Sequence, residues 1–152
     1  MATPLQQAPG ASKLAPSPKH PPHSIEAEQS VLGGLLLNNR AWFDLNSQVA
    51  EEDFYTHDHR VIFRGIAELL GQNKPCDFVT LSEHLRHQNR LEEAGGVSYL
   101  GTLAADTPSA ANVQAYAEIV RERSVLRSLI SAGQDIAELG YQPDGRPSGA
   151  LI

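Results

Sequence analysis

The sequence predicts an all-α fold: a compact helical head followed by a long C-terminal helix or a protruding αα-hairpin. Three observations lead there. Only Pro75 and Pro108 interrupt the chain between residues 23 and 139, apolar residues recur at helical rather than alternating spacing, and the other prolines gather at the two ends. The first helix starts at Ser24, a residue type suited to the N-cap, with Glu26 and Glu28 facing the positive end of the dipole. Ile25, Val31, Leu32, Leu35 and Leu36 form its apolar stripe to about Leu37. Ala27 stands where a capping box needs Glu, so that reciprocal bond is excluded.

Asn38 and Asn39 suit an exit turn, and residues 41–49 can form a short helix with Trp42, Phe43 and Leu45 on its apolar side. Thr56 is placed to cap the next helix, which carries Ile62, Phe63, Ile66, Leu69 and Leu70 and stops at Gly71, expected as a left-handed terminus. After the Lys74-Pro75 loop, Asp77 can cap a helix holding Val79, Leu81 and Leu85; residues 91–94 add a turn ended by Gly95-Gly96, and residues 97–105 form one more short helix. Residues 110–139 contain no proline and keep near-helical apolar spacing. Thirty residues would reach roughly 45 Å at 1.5 Å each, more than a domain of this size spans, so this helix protrudes or folds back. A break at residues 121–124 is the expectation.

Domain boundaries follow from composition. Residues 1–22 hold six of the ten prolines, two lysines and no acid, and read as a disordered leader; residues 23–108 form the head, 109–140 the long helix or hairpin, and 141–152 the start of a linker. The end at Ile152, just beyond that linker signal, reads as a truncated form of a longer chain.

At 152 residues the chain can bury a core without disulfide staples, and its single cysteine, Cys76, cannot pair internally. A reducing cytoplasm is the expected setting. No apolar run approaches the ~18 residues of a membrane span, and no signal-peptide core precedes His20. The leader takes two of the twelve basic residues with it, so residues 23–152 set ten bases against all 18 acids, a net charge of −8. That balance argues against a surface devoted to phosphate neutralisation.

Candidate chemistry is sparse. His57-Asp58-His59 can be read as part of a divalent-metal site, hence a metal-dependent helical phosphohydrolase using His57 and Asp58, or as a helix first turn with exposed imidazoles. His84 and His87 share a helical face without partners to complete a ligand set. No Gly-Lys pair exists for a phosphate-binding loop, and Gly33-Gly34, inside a helix, points to close packing of a neighbour. Cys76 reads as a plain thiol. With no catalytic, cofactor or metal residues assigned, a binding or assembly role remains, centred on the long C-terminal stretch. Val113, Tyr116, Val120, Leu126, Ile130 and Ile136 cannot all face one small head, and each left exposed forgoes ~1.5–3 kcal/mol of burial. Burial against another copy supplies the missing cover, the alternative being a helix lying flat on its own core.

Five ordered strings carry a family resemblance. Pro21-Pro22-His23-Ser24-Ile25-Glu26-Ala27-Glu28-Gln29-Ser30-Val31-Leu32-Gly33 resembles the opening of bacterial replicative DNA helicases of the DnaB family. Asp53-Phe54-Tyr55 with His59-Arg60-Val61-Ile62-Phe63, Asp77-Phe78-Val79-Thr80-Leu81, Gly95-Gly96-Val97-Ser98-Tyr99-Leu100, and Ala110-Ala111-Asn112-Val113 running into Tyr116-Ala117-Glu118-Ile119-Val120-Arg121-Glu122-Arg123 agree with it over about residues 21–145. The resemblance implies the N-terminal domain of a hexameric helicase whose RecA-like motor, using ATP and Mg²⁺ and contacting DNA, lies elsewhere. It further implies a collar built as a trimer of dimers, at which the C-terminal helicase-binding domain of primase docks. On that basis Val113, Tyr116, Val120 and Leu126 are expected at the oligomer contact, and Glu26, Tyr99, Ile130 and Ile136 at the primase contact.

Overall fold

A computed structural model of the chain describes residues 20–142, together with 145, 147 and 149. The expected leader up to residue 19 and most of the expected linker lie outside the described residues. Among the described residues six α-helices follow in order: α1 Ile25–Leu37, α2 Trp42–Leu45, α3 His57–Gly71, α4 Phe78–His87, α5 Gly96–Ala105 and α6 Val113–Tyr141. Single turns of 3₁₀ helix lie at Asn39–Ala41, Glu51–Asp53 and Ala110–Asn112, and no strand occurs among the described residues.

Helix α1 is the axis of the head, packed on α3, α5 and α6. Encirclement explains why so much of it is apolar or small: residues from Val31 to Leu36 are buried without interruption. Its two glycines are the points of closest approach. A Cβ on Gly33 would fall 1.8 Å from Thr107 Oγ1 and 2.2 Å from the Leu103 carbonyl oxygen, and one on Gly34 would fall 2.2 Å from a Val113 methyl. The glycine pair therefore lets α5 and the start of α6 press against the α1 backbone, as the sequence suggested.

Ser24 caps α1 by accepting the Ala27 N–H at 3.2 Å, and Asp77 caps α4 through a reciprocal pair, its carboxylate accepting the Thr80 N–H while the Thr80 hydroxyl accepts the Asp77 N–H, both at 2.8 Å. Other expectations need correction. Thr56 makes no side-chain cap: its buried hydroxyl has no partner among the described residues, and Asp58 instead accepts the His59 N–H at 2.7 Å. Gly71 remains helical; the left-handed residue is Asn73 (φ 57°), after which the Lys74 N–H closes onto the Leu69 carbonyl. Helix α2 stops at Leu45, because Asn46 and Ser47 are weak helix formers and Phe43, 71% exposed, has no core to reach. Val79 likewise lies outside the core.

Two further departures concern the ends. The end of the expected leader meets the head: the Pro22 carbonyl accepts from Arg127 at 2.7 Å, and the next residue, His23, stacks on Tyr55 with ring centroids 4.2 Å apart. Helix α6 runs 29 residues without a break at 121–124, reaching about 43 Å. The head ends beneath it at Ser124, the last buried residue of the helix.

Two measurements test this packing. Gly33→Ala, which in an exposed helix would stabilise by up to ~1 kcal/mol, is expected here to destabilise by roughly 1–3 kcal/mol in urea unfolding, since the added methyl meets backbone. Cys76 is buried beside Asp77, and burial first, then that carboxylate, pushes its thiol up to about 12. A thiol reagent at about pH 8 is expected to label it only when the chain unfolds.

Candidate functional site

A polar chain crosses the head where α1, α3 and α5 meet. Glu28, 1% exposed, accepts the Tyr55 N–H at 2.9 Å and pairs with Nδ1 of His59, also 1% exposed, at 2.8 Å. A carboxylate can only accept, so Nδ1 of His59 donates to Glu28, while Nε2 shares a hydrogen bond with the Tyr99 hydroxyl at 2.6 Å and the Tyr99 oxygen accepts from the Gln29 amide at 3.1 Å. Every buried group in this chain has a partner, the condition under which buried polar atoms add specificity to a core. Burial raises the Tyr99 phenol above its ordinary range; the Gln29 hydrogen bond opposes that, and Asp58 and Glu28 reinforce it.

A second arrangement anchors α6. Asp53, 2% exposed, uses one carboxylate oxygen to accept from Arg121 at 2.9 Å and Ser124 at 2.7 Å, and the other to accept the Ala50 N–H at 2.8 Å. Arg127 donates to the Asp53 carbonyl at 2.6 Å and lies over the Tyr55 ring. Arg60, from α3, donates to the carbonyls of Phe54 and Tyr55 at 2.8 and 2.7 Å. The segment before α3 is thus gripped from two sides, and the helix that grips it is thereby aimed away from the head.

Past Ser124, α6 becomes a stem. Val125, Leu129 and Ile136 share one face, while Leu126, Ile130 and Ala137 share another, by the i, i+4, i+11 spacing of a helix. Leu129 is 68% exposed and Ile136 71%. The residues expected at an oligomer contact are divided by this geometry: Val113 and Val120 are buried in the chain's own core, Tyr116 is half-buried against it, and Leu126 is on the exposed stem. Those expected at a primase contact fall in two regions. Glu26 is exposed on α1 and Tyr99 half-buried on α5, whereas Ile130 and Ile136 are on the stem. Sequence reasoning assigned neither Leu129, which it placed on the helical period, nor Val125 to a contact on that stem, although their spacing relative to Ile136 was a usable signal.

The candidate metal residues do not converge. His57 is exposed and pairs with Glu93 at 3.1 Å, lowering the Glu93 carboxyl below its usual range mainly through that hydrogen bond. Asp58 is occupied at the α3 N-terminus, and both ring nitrogens of His59 are engaged. Among the described residues no three His, Cys, Asp or Glu side chains gather as a ligand set. His57 and Asp58 are thus each engaged with a neighbour and are brought together with no further ligand among the described residues. Nor is any helix among those residues long and apolar enough to cross a membrane.

A helical head around α1, with one long helix leaving it, defines a head-and-stem all-α domain. The sequence profile described as "DnaB-like helicase N terminal domain" matches residues 20–122, and the chain belongs to that family. It is 48% identical over 126 residues to replicative DNA helicase DnaB of Haemophilus influenzae, covering 83% of this chain and 27% of that protein, and 46% identical over 125 residues to the Geobacillus stearothermophilus protein, covering 82% and 28%. The chain therefore spans about a quarter of the length of these relatives. Among solved structures, the N-terminal domain of DnaB helicase from Mycobacterium tuberculosis matches with a TM-score of 0.80 at 37% identity, over 87% of this chain and 92% of that one. A structure described as a DnaB-like replicative helicase and its interactions with primase matches with a TM-score of 0.68 at 27% identity, over 79% and 29%.

The Tyr99 arrangement has a pH signature. The folded chain favours the neutral phenol, so above about pH 10 the unfolded chain loses its proton first; stability is complete below that pH and falls as pH climbs through the raised folded value. Unfolding midpoints measured from about pH 8 to about pH 11 are expected to fall less steeply for Tyr99→Phe than for the unaltered chain.

Proposed function

We propose that this chain is the N-terminal collar domain of a replicative DNA helicase, where it drives subunit pairing and recruits primase. The unwinding itself, driven by ATP with Mg²⁺, belongs in this reading to a RecA-like motor in the larger remainder of such a protein. The chain performs no chemistry of its own, holds no cofactor, and reaches DNA only through that motor in the bacterial cytoplasm.

The observation that carries the reading is the stem: a helix anchored to the head through Ser124 and Arg127, whose apolar residues Val125, Leu126, Leu129, Ile130 and Ile136 are each at least 37% exposed. Contiguous apolar surface on this scale marks an interaction face. A two-fold pairing of stems covers the part nearest the head, around Leu126 and Leu129, in both copies at once, leads by symmetry to dimers and then to a trimer of dimers, and leaves Ile130 and Ile136 to other partners. Leu126, with Tyr116 at its edge, supplies the pairing contact; Val113 and Val120 support it from within by fixing the base of the helix. Primase docking draws on Ile130 and Ile136 of the stem and on Glu26 and Tyr99 of the head. The family relationship and the primase-containing structural relative support this assignment.

Light scattering of the purified chain is expected to show a concentration-dependent dimer. Leu126→Asp with Leu129→Asp should weaken it at least about tenfold while helicity is kept, because the altered side chains touch no core. Titration with the isolated helicase-binding domain of primase should give saturable binding that Ile130→Asp weakens. A strictly monomeric chain indifferent to primase would remove the proposal.

A further inference from the structure

Where α6 leaves the head, a cleft of about 780 Å³ opens between the stem and the start of the described chain. Pro21 and Tyr55 form one wall, Ile130 and Gly133 of the stem form the other, and Arg60 and Arg127 line the space between. None of the ten lining residues is acidic, although residues 23–152 carry a net charge of −8.

The two arginines differ from Arg121, whose charge is answered by Asp53. Among the described residues neither Arg60 nor Arg127 faces a carboxylate: they grip the neutral carbonyls of three consecutive residues, Asp53, Phe54 and Tyr55, with Arg127 reaching Pro22 as well. Those hydrogen bonds hold the guanidinium planes still without pairing either to a carboxylate among the described residues, Arg127 lying over the Tyr55 ring. Nη1 of Arg60 and Nε of Arg127 take no part in these bonds. Both side chains are half-buried, where a charge–charge contact is screened less than on an open surface. A fixed guanidinium beside apolar surface matches a carboxylate carried next to an aliphatic group.

We propose that this cleft binds an acidic, aliphatic-bearing peptide segment of a partner protein, its carboxylates meeting Arg60 and Arg127 and its apolar side chain lying on Ile130. Charge complementarity selects this occupant. The chain's own residues 1–19 contain lysines and no acid, so they bring charge of the wrong sign. A phosphate backbone continuing past the cleft would run over an acidic domain. The site is complete within one chain and does not depend on stem pairing.

Gly133 gives a clean test, because a Cβ placed there meets nothing within 4 Å and the position is exposed. Gly133→Glu puts a competing carboxylate on the cleft wall without disturbing the head, and Gly133→Gln is the neutral match, with similar helix propensity. The probe is a fluorescein-labelled peptide of three glutamate–leucine repeats, titrated with the whole 152-residue chain in anisotropy measurements at low salt. Saturable binding is expected, weakened by salt, about tenfold weaker for the glutamine–leucine peptide and for Gly133→Glu, and unchanged for Gly133→Gln. Light scattering on the same variants should show unaltered pairing, which separates failure of the cleft from failure of the stem. Absent saturation, equal binding to Gly133→Glu, or tighter and equally variant-sensitive binding of oligothymidylate would overturn the proposal.

Discussion

The carboxylate of Asp53 is almost sealed from solvent, and a buried anion must be answered by donors or become costly to the fold. Three donors answer it, two from α6 and one from the backbone of its own turn. The rest of the molecule is arranged around that demand. Arg121 and Ser124 can reach Asp53 only if α6 crosses the head in one register, which in turn places Val113, Ala117 and Val120 against α1. Arg127, one turn further on, completes the grip by holding the Asp53 and Pro22 carbonyls. Everything beyond is stem because nothing in the head remains to hold it.

The two polar arrangements divide the labour of the fold. The chain through Glu28, His59, Tyr99 and Gln29 joins α1, α3 and α5 inside the head, whereas the Asp53 arrangement joins head to stem. Tyr55 belongs to both: its N–H meets Glu28, its carbonyl meets Arg60, and its ring lies between His23 and Arg127. Orientation of the stem is thus coupled to the packing of α1 through one short segment. An interaction domain gains from that coupling, since a partner bound along the stem meets a head in fixed relation to it.

Much of this was legible from spacing alone. Helices with a strong apolar stripe and a polar cap, such as α1 and α4, sit where the sequence placed them, because local preference and tertiary packing agree there. The glycine pair in α1 was readable as a close crossing because no turn chemistry surrounds it. Thr56 and Gly71 misled for opposite reasons: a cap residue whose hydroxyl was turned into the interior, and a glycine that stayed helical while Asn73 took the left-handed position. The break expected at residues 121–124 had no Gly or Pro behind it, and α6 runs straight through that stretch, where Arg121 and Ser124 are hydrogen-bonded to a carboxylate far back in the chain. Such partners have no local signature. Periodicity likewise reveals that Val113 and Val120 share a face, and not that the face packs into the chain's own core.

The contact between Gly34 and Val113 bears on how the domain is made. It joins the first helix to the beginning of the last, so the chain closes on itself only after nearly the whole head has been synthesised. Such high-separation contacts make folding slower and leave early apolar surface uncovered for longer. During translation α1, whose centre is almost entirely apolar, must wait for α3, α5 and finally α6 to emerge. A ribosome pausing before residue 113 would hold out an unburied leucine-rich helix, and the domain's exposure to aggregation is concentrated in that interval rather than in the finished molecule.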